Sequence, residues 1–215
     1  MINSIPPVFA ESGLFVVFEG GDGVGKSTQV GLLCDWLGET GRPFLRTFEP
    51  GDSAAGRQIR KIVLDPSTGD LAAKAETLLY AADKAHHLEQ VVRPALARGE
   101  VVVCDRYVDS MLAYQGAGRV LDLAEVEQVA RWATDGLRPH LTVLLDGDPA
   151  DLMATMTEKD RIESAGDDFH RAARLHFLAL ADRDPEHYLV LDCRQSRASI
   201  AHAIRDRLAT LLSAT

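Results

Sequence analysis

F-V-V-F-E-G-G-D-G-V-G-K-S-T, residues Phe15 to Thr28, lies within and beyond an apolar run, Leu14 to Phe18, whose length and β-branched content predict a strand buried on both faces. It continues as Gly20-x-x-x-x-Gly25-Lys26-Ser27, the phosphate-binding loop pattern with every fixed position filled. Glycine lets successive backbone N–H groups converge on one concavity, and a helix opening near Lys26 adds the positive end of its dipole. Such a nest suits polyphosphate. Gly20, Gly21, Asp22, Gly23, Val24, Gly25, Lys26, Ser27 and Thr28 therefore form the expected polyphosphate-binding stretch. Lys26 would reach the β- and γ-phosphates, and Ser27 would take one position on a Mg²⁺ that bridges them. A strand before, a helix after, the spaced glycines, the lysine and the hydroxyl set this loop apart from an ordinary tight turn.

Working outward, strand and helix patterns alternate. Helical periods are predicted over Lys26 to Glu39 with Gly41 as a stop, Ala54 to Leu64, and Leu71 to Arg98 with a kink at Pro94. Asp122 to Asp135 follows, with Asp122 as N-cap and Gly136 as stop, and then roughly Asp168 to Asp182 and Ser196 to Leu212. Between them lie short strand candidates at Phe44 to Thr47, Val101 to Asp105, Leu141 to Leu145 and Tyr188 to Leu191. Val101-Val-Val-Cys-Asp105 closes an apolar run on an acid, the Walker B pattern, which places Asp105 at the carboxyl edge of a parallel sheet. The expected class is α/β, a parallel sheet with helices on both faces. Residues 1–12 read as a loose lead-in without a signal-peptide pattern, 13–215 as one domain, and a polar stretch at about 153–168 as a mobile lid.

Composition bounds the partners. Apolar residues make up 46% and charged residues 26%, ordinary for a soluble globular chain, and no apolar run approaches the roughly 20 residues of a spanning helix. A cytoplasmic protein without a membrane partner is expected. The formal charge of −9 argues against a sequence-independent grip on nucleic acid, which needs a basic face. Cys34, Cys104 and Cys193 are widely spaced and read as free thiols, and the adjacent His86 and His87 do not make a ligand pair on a helix.

Six stretches together resemble the bacterial thymidylate kinases: F-E-G-G-D-G-V-G-K-S-T, T-F-E-P-G-D-S, L-L-Y-A-A-D-K-A-H-H, D-R-Y-V-D-S-M-L-A-Y-Q-G-A-G-R, D-R-I-E and F-H-R-A-A-R. They follow the family's order and spacing over roughly residues 14 to 192. The resemblance implies a three-layer nucleoside-monophosphate-kinase core with five parallel strands, a homodimer, and Mg²⁺-dependent transfer of the ATP γ-phosphate to dTMP in pyrimidine deoxynucleotide synthesis. On the residues, phosphoryl transfer needs chiefly alignment of two phosphates and neutralisation of charge between them. Lys26 would serve the donor, Arg106 the acceptor phosphate, and Asp105 the metal through water. The resemblance further implies an acceptor site from Glu49, Arg60, Tyr80, Lys84, Arg106, Ser110, Met111, Tyr114 and Gln115, with Asp22 near the acceptor's sugar. Tyr80 and Lys84, four residues apart on one helix face, would stack on a pyrimidine and reach a base oxygen.

The sequence departs from this family in places. Lysine stands at position 84 where arginine is usual, Met111 replaces a small polar residue, and the lid approach is poor in arginine. Arg161, in its D-R-I-E context, is the expected lid cation, with Arg174 next. These departures keep two alternatives open, a kinase of a modified pyrimidine deoxynucleotide and a slow family member. A phosphate-loop binding switch would need an N-K-x-D stretch, and the sequence has none.

Overall fold

Leu14–Glu19 forms β1, whose two faces part at once: Leu14, Val16 and Phe18 enter one apolar cluster, Phe15 and Val17 another. That division follows from side chains alternating along a strand. The structure, a computed structural model describing residues 8–119, 121–153 and 160–214, adds β2 (Phe44–Phe48), β3 (Val101–Asp105), β4 (Leu141–Asp146) and β5 (Tyr188–Asp192). All pair in parallel in the order β2-β3-β1-β4-β5. Phe18 and Phe48 both lie opposite Asp105. The phosphate loop, the Glu49 turn and Arg106 therefore leave the sheet side by side at its carboxyl edge, where open α/β sheets bind ligands.

Helices cover both faces. α1 (Lys26–Glu39) and α9 (Arg197–Ala214) close one, where Val30, Leu33 and Leu37 meet Ile200, Ile204 and Leu208 over the β1 cluster. The other face carries α2 (Ala54–Leu64), α3 (Ala73–His87), α4 (Arg93–Ala97), α5 (Val108–Met111), α6 (Leu123–Thr134) and α8 (Asp167–Arg183), and the short α7 (Pro149–Met153) follows β4. Cys34 and Cys104 are buried, Cys193 half-buried, and all three are free thiols.

The helical pattern read over Leu71 to Arg98 is not one α-helix. A wider π turn, Leu88–Val92, separates α3 from α4. Pro94 has no N–H for the carbonyl four residues back, and a widened turn accommodates that loss while Leu88, Val92, Ala95 and Leu96 stay on the buried face. A second π turn, Leu112–Gly118, extends α5. α6 stops one residue earlier than read, because Asp135 already takes the left-handed conformation at φ 48°.

The lead-in read as loose through residue 12 is held from Val8 onward. Val8 N–H donates to the Gly136 carbonyl (3.0 Å), Arg138 N–H to the Val8 carbonyl (2.8 Å), and Phe9 stacks on His187 at 4.8 Å. Residues 1–7, and 154–159 of the expected lid, lie outside the described residues. Asp160 Oδ1 accepts from Ile162 N–H and Glu163 N–H (both 2.8 Å) in a turn that leads to α8.

Candidate active site

Gly20 leaves β1 at φ 131°, where an added Cβ would stand 2.3 Å from the Leu145 carbonyl oxygen, so no other residue fits. Gly25 (φ 94°) then turns the chain into α1. Lys26, 8% exposed, folds its Nζ back to the Gly20 and Gly21 carbonyls (3.0 and 2.5 Å). Burial, reinforced by the Arg106 charge, pushes its pKa down to about 8. Ser27 Oγ donates to Asp105 Oδ2 at 3.3 Å. This hydroxyl and carboxylate are hard oxygen donors of the kind Mg²⁺ takes, and no group of three or more His, Cys, Asp or Glu among the described residues could hold a metal. The pair fits an ion shared with substrate phosphates.

Arg106 sits just past β3 at φ 71°, an uncommon conformation for a non-glycine residue that is typical of functional sites. Its side chain donates to the Gly20 carbonyl (3.2 Å), Ser110 Oγ (3.0 Å), Tyr114 Oη (3.5 Å) and Asp22 Oδ1. Burial alone would raise the Asp22 carboxyl, but the Arg106 and Lys26 charges outweigh it and the net shift is downward. An acid beside a polyphosphate site is thus tolerated because it is neutralised from both sides. Directly beneath, the fully buried Glu19 accepts Tyr107 N–H (2.8 Å) and Ser110 N–H (3.2 Å) on Oε1 and the Ser110 hydroxyl on Oε2 (2.6 Å). Burial, with Asp109 nearby, pushes Glu19 up to about 7.

At the far side of the cleft, Glu49 Oε2 accepts from Lys84 Nζ (2.5 Å) and Oε1 pairs with His87 Nδ1 (2.8 Å). His87 Nε2 meets Thr47 Oγ1 (2.6 Å), which donates to Asp52 (2.6 Å). Burial opposes ionisation of Glu49, yet Lys84 and His87 bring its pKa below the usual value. One turn before Tyr80 on α3, the buried Glu76 binds Gln115 Nε2 (3.1 Å), Arg119 (3.1 and 3.2 Å) and Arg161. These elements enclose a cleft of about 550 Å³ that runs from Lys26 and Ser27 to Tyr80, Met111 and Gln115.

The sequence profile of the Thymidylate kinase family matches residues 18–204. The thymidylate kinase of Cutibacterium acnes is 58% identical over 201 residues, covering 94% of this chain and 98% of its own. The chain belongs to the thymidylate kinase family. The enzyme of that name from Clavibacter michiganensis is 54% identical over 207 residues, covering 94% and 98% of the two chains. The crystal structure of the thymidylate kinase from Ehrlichia chaffeensis superimposes with a TM-score of 0.73 at 25% identity, over 92% of this chain and 99% of that one.

For this member of the thymidylate kinase family, the structure brings most of the sequence-read residues to one cleft. Asp22, Gly23, Gly25, Lys26, Ser27, Thr28, Glu49, Arg60, Tyr80, Lys84, Asp105, Arg106, Ser110, Met111, Tyr114 and Gln115 all line it. Gly20 and Gly21 lie behind the loop, and Val24 packs into the core. The Lys84 ammonium, expected to reach a base oxygen, is paired with Glu49 in the structure. Arg161 does not face the cleft as a lid cation: Nε donates to the Val63 carbonyl (2.8 Å) and the guanidinium pairs with Glu76. Arg174 forks onto Asp146 (2.7 and 2.9 Å).

Sequence reasoning missed Glu19, Glu76 and His87. Glu76, Tyr80, Lys84 and His87 recur every three or four residues and share one face of α3, so helical spacing could have found two of them. Glu19 carried no such signal, since its partners lie some 90 residues further along the chain.

Proposed function

We propose that this protein is an ATP-dependent thymidylate kinase that transfers the γ-phosphate of ATP to dTMP, giving dTDP and ADP. One observation carries the reading: a phosphate-loop lysine and a strand-end arginine face a single cleft from two sides, bridged by Asp22. In this reading the loop amides and Lys26 hold the donor, while Arg106 and Arg60 receive the acceptor phosphate. Arg60, fixed by its bond to the Pro50 carbonyl (2.7 Å), is the second cation on that side. Lys26 and Arg106 lower the barrier by aligning the two phosphates and opposing charge on the oxygens between them. Mg²⁺, held with Ser27 and Asp105, would supply charge neutralisation at the donor oxygens. Tyr80, Met111, Tyr114 and Gln115 form the walls for the pyrimidine.

Two further readings accompany this. A cytoplasmic location is consistent with the absence, among the described residues, of any helix long and apolar enough to cross a membrane. A homodimer would cover the groove of about 310 Å³ between α3 and α6, beside the exposed Leu78. The modified-nucleotide and binding-switch alternatives gain no support from the relatives.

Coupled ADP-release assays with ATP, Mg²⁺ and each of dTMP, dUMP, dCMP and UMP test the proposal. The highest kcat/KM is expected for dTMP. Equal rates without a monophosphate, or preference for UMP, would overturn it.

A further inference from the structure

The sequence reading gives Glu19 no role, yet three hydrogen bonds converge on its carboxylate. It occupies the last position of β1, one residue before the phosphate loop, and is fully buried. Both backbone donors it takes, Tyr107 N–H and Ser110 N–H, belong to the chain immediately after Arg106. A non-glycine residue at φ 71° is strained and persists there only when its surroundings hold it. A charge-assisted bond to the very next N–H is such a hold. Arg106 N–H itself donates to the Phe18 carbonyl at 2.9 Å, so two adjacent residues of β1 fix this turn.

The side-chain contacts are directional. Glu19 Oε2 can only accept while ionised, so the Ser110 hydroxyl donates to it (2.6 Å). Ser110 Oγ is thereby left to accept from Arg106 (3.0 Å). Guanidinium, hydroxyl and carboxylate thus form a chain that runs from Arg106 through Ser110 to Glu19. We propose that Glu19 is a positioning residue for the acceptor site: through Ser110 and the Tyr107 amide it fixes the aim of Arg106, and it governs affinity for the nucleoside monophosphate without touching it.

Glutamine is the informative replacement because it keeps the shape. Its amide oxygen can still accept the two backbone N–H groups, but its NH2 can only donate to Ser110 Oγ, which reverses that bond and sets a second donor on the oxygen that Arg106 uses. The inference rests on Arg106 serving the acceptor, and the test separates the two. Calorimetry of dTMP and of ATP is run on the wild-type protein, Glu19→Gln, Ser110→Ala, Arg106→Ala and the Glu19→Gln/Arg106→Ala double variant, each checked for folding by circular dichroism. Glu19→Gln is expected to weaken dTMP about tenfold or more while ATP changes less than about twofold, and to add nothing in the Arg106→Ala background. Should Glu19→Gln fail to fold, Ser110→Ala carries the test with the same expected loss, again absent without Arg106. Equal losses for both nucleotides, a loss that persists without Arg106, or wild-type dTMP affinity in Ser110→Ala would overturn the proposal. No dTMP binding by the wild-type protein would instead remove the functional reading beneath it.

Discussion

At Lys26 two demands conflict. The donor phosphates call for a full positive charge, but burial beside Arg106 disfavours that charge and leaves a pKa of about 8. Bound polyphosphate reverses the balance, so binding takes up a proton wherever the free lysine is partly neutral. The sign gives uptake that grows with pH, from little at neutral pH to roughly half a proton near pH 8. ATP calorimetry in two buffers of different ionisation enthalpy reads this directly, and uptake that does not rise with pH would contradict it. Arg106→Ala leaves the monophosphate unclamped and should weaken dTMP by about one or two powers of ten, with little change for ATP. Equal losses would move Arg106 off the acceptor side. Lys84 and Glu49 are 3% and 2% exposed and joined at 2.5 Å. Lys84→Ala leaves a buried carboxylate short of a partner, an expected cost of about 3–5 kcal/mol measured by chemical unfolding. A loss below about 1 kcal/mol would mean that His87 alone suffices.

Among elements, α3 does the most to organise the cleft, since one face presents Glu76, Tyr80, Lys84 and His87 in turn. Through Glu76 it grips the segment before α8, by way of Arg161, and the π turn after α5, by way of Gln115 and Arg119. Arg161 reaches the phosphates only by exchanging Glu76 for them. Arg161→Ala is accordingly expected to lower the melting temperature while changing kcat by less than about tenfold. A loss on the order of a thousandfold in kcat at an unchanged melting temperature would restore it as a phosphate ligand. The elements differ in how plainly the sequence announces them. β1, β3 and β4 are continuous apolar runs, the mark of strands covered on both faces, and their positions could be read off within a residue. The break between α3 and α4 could not, because the apolar pattern runs through the π turn unbroken and only Pro94 hints at it. The phosphate loop is legible because its chemistry is local. The Glu49–Lys84–His87 contacts are not, because they exist only once the end of β2 meets α3.

For the whole molecule, the parallel order β2-β3-β1-β4-β5 sets the phosphate loop after β1 beside Asp105 and Arg106 at the end of β3, on two neighbouring connections at one sheet edge. The homodimer proposed across α3 and α6 would bury Leu78, which is 57% exposed in the single chain. Light scattering should give twice the chain mass, and Leu78→Asp should reduce it to the monomer; a wild-type monomer would contradict this. The central claim, that this chain moves the ATP γ-phosphate onto dTMP under the direction of Lys26, is tested most directly by phosphorus NMR of a mixture of ATP, dTMP and Mg²⁺. The account predicts that dTDP resonances grow as ATP converts to ADP with the wild-type protein, and that folded Lys26→Ala yields none. ADP formed without dTDP, or dTDP formed at a near-normal rate by Lys26→Ala, would contradict it.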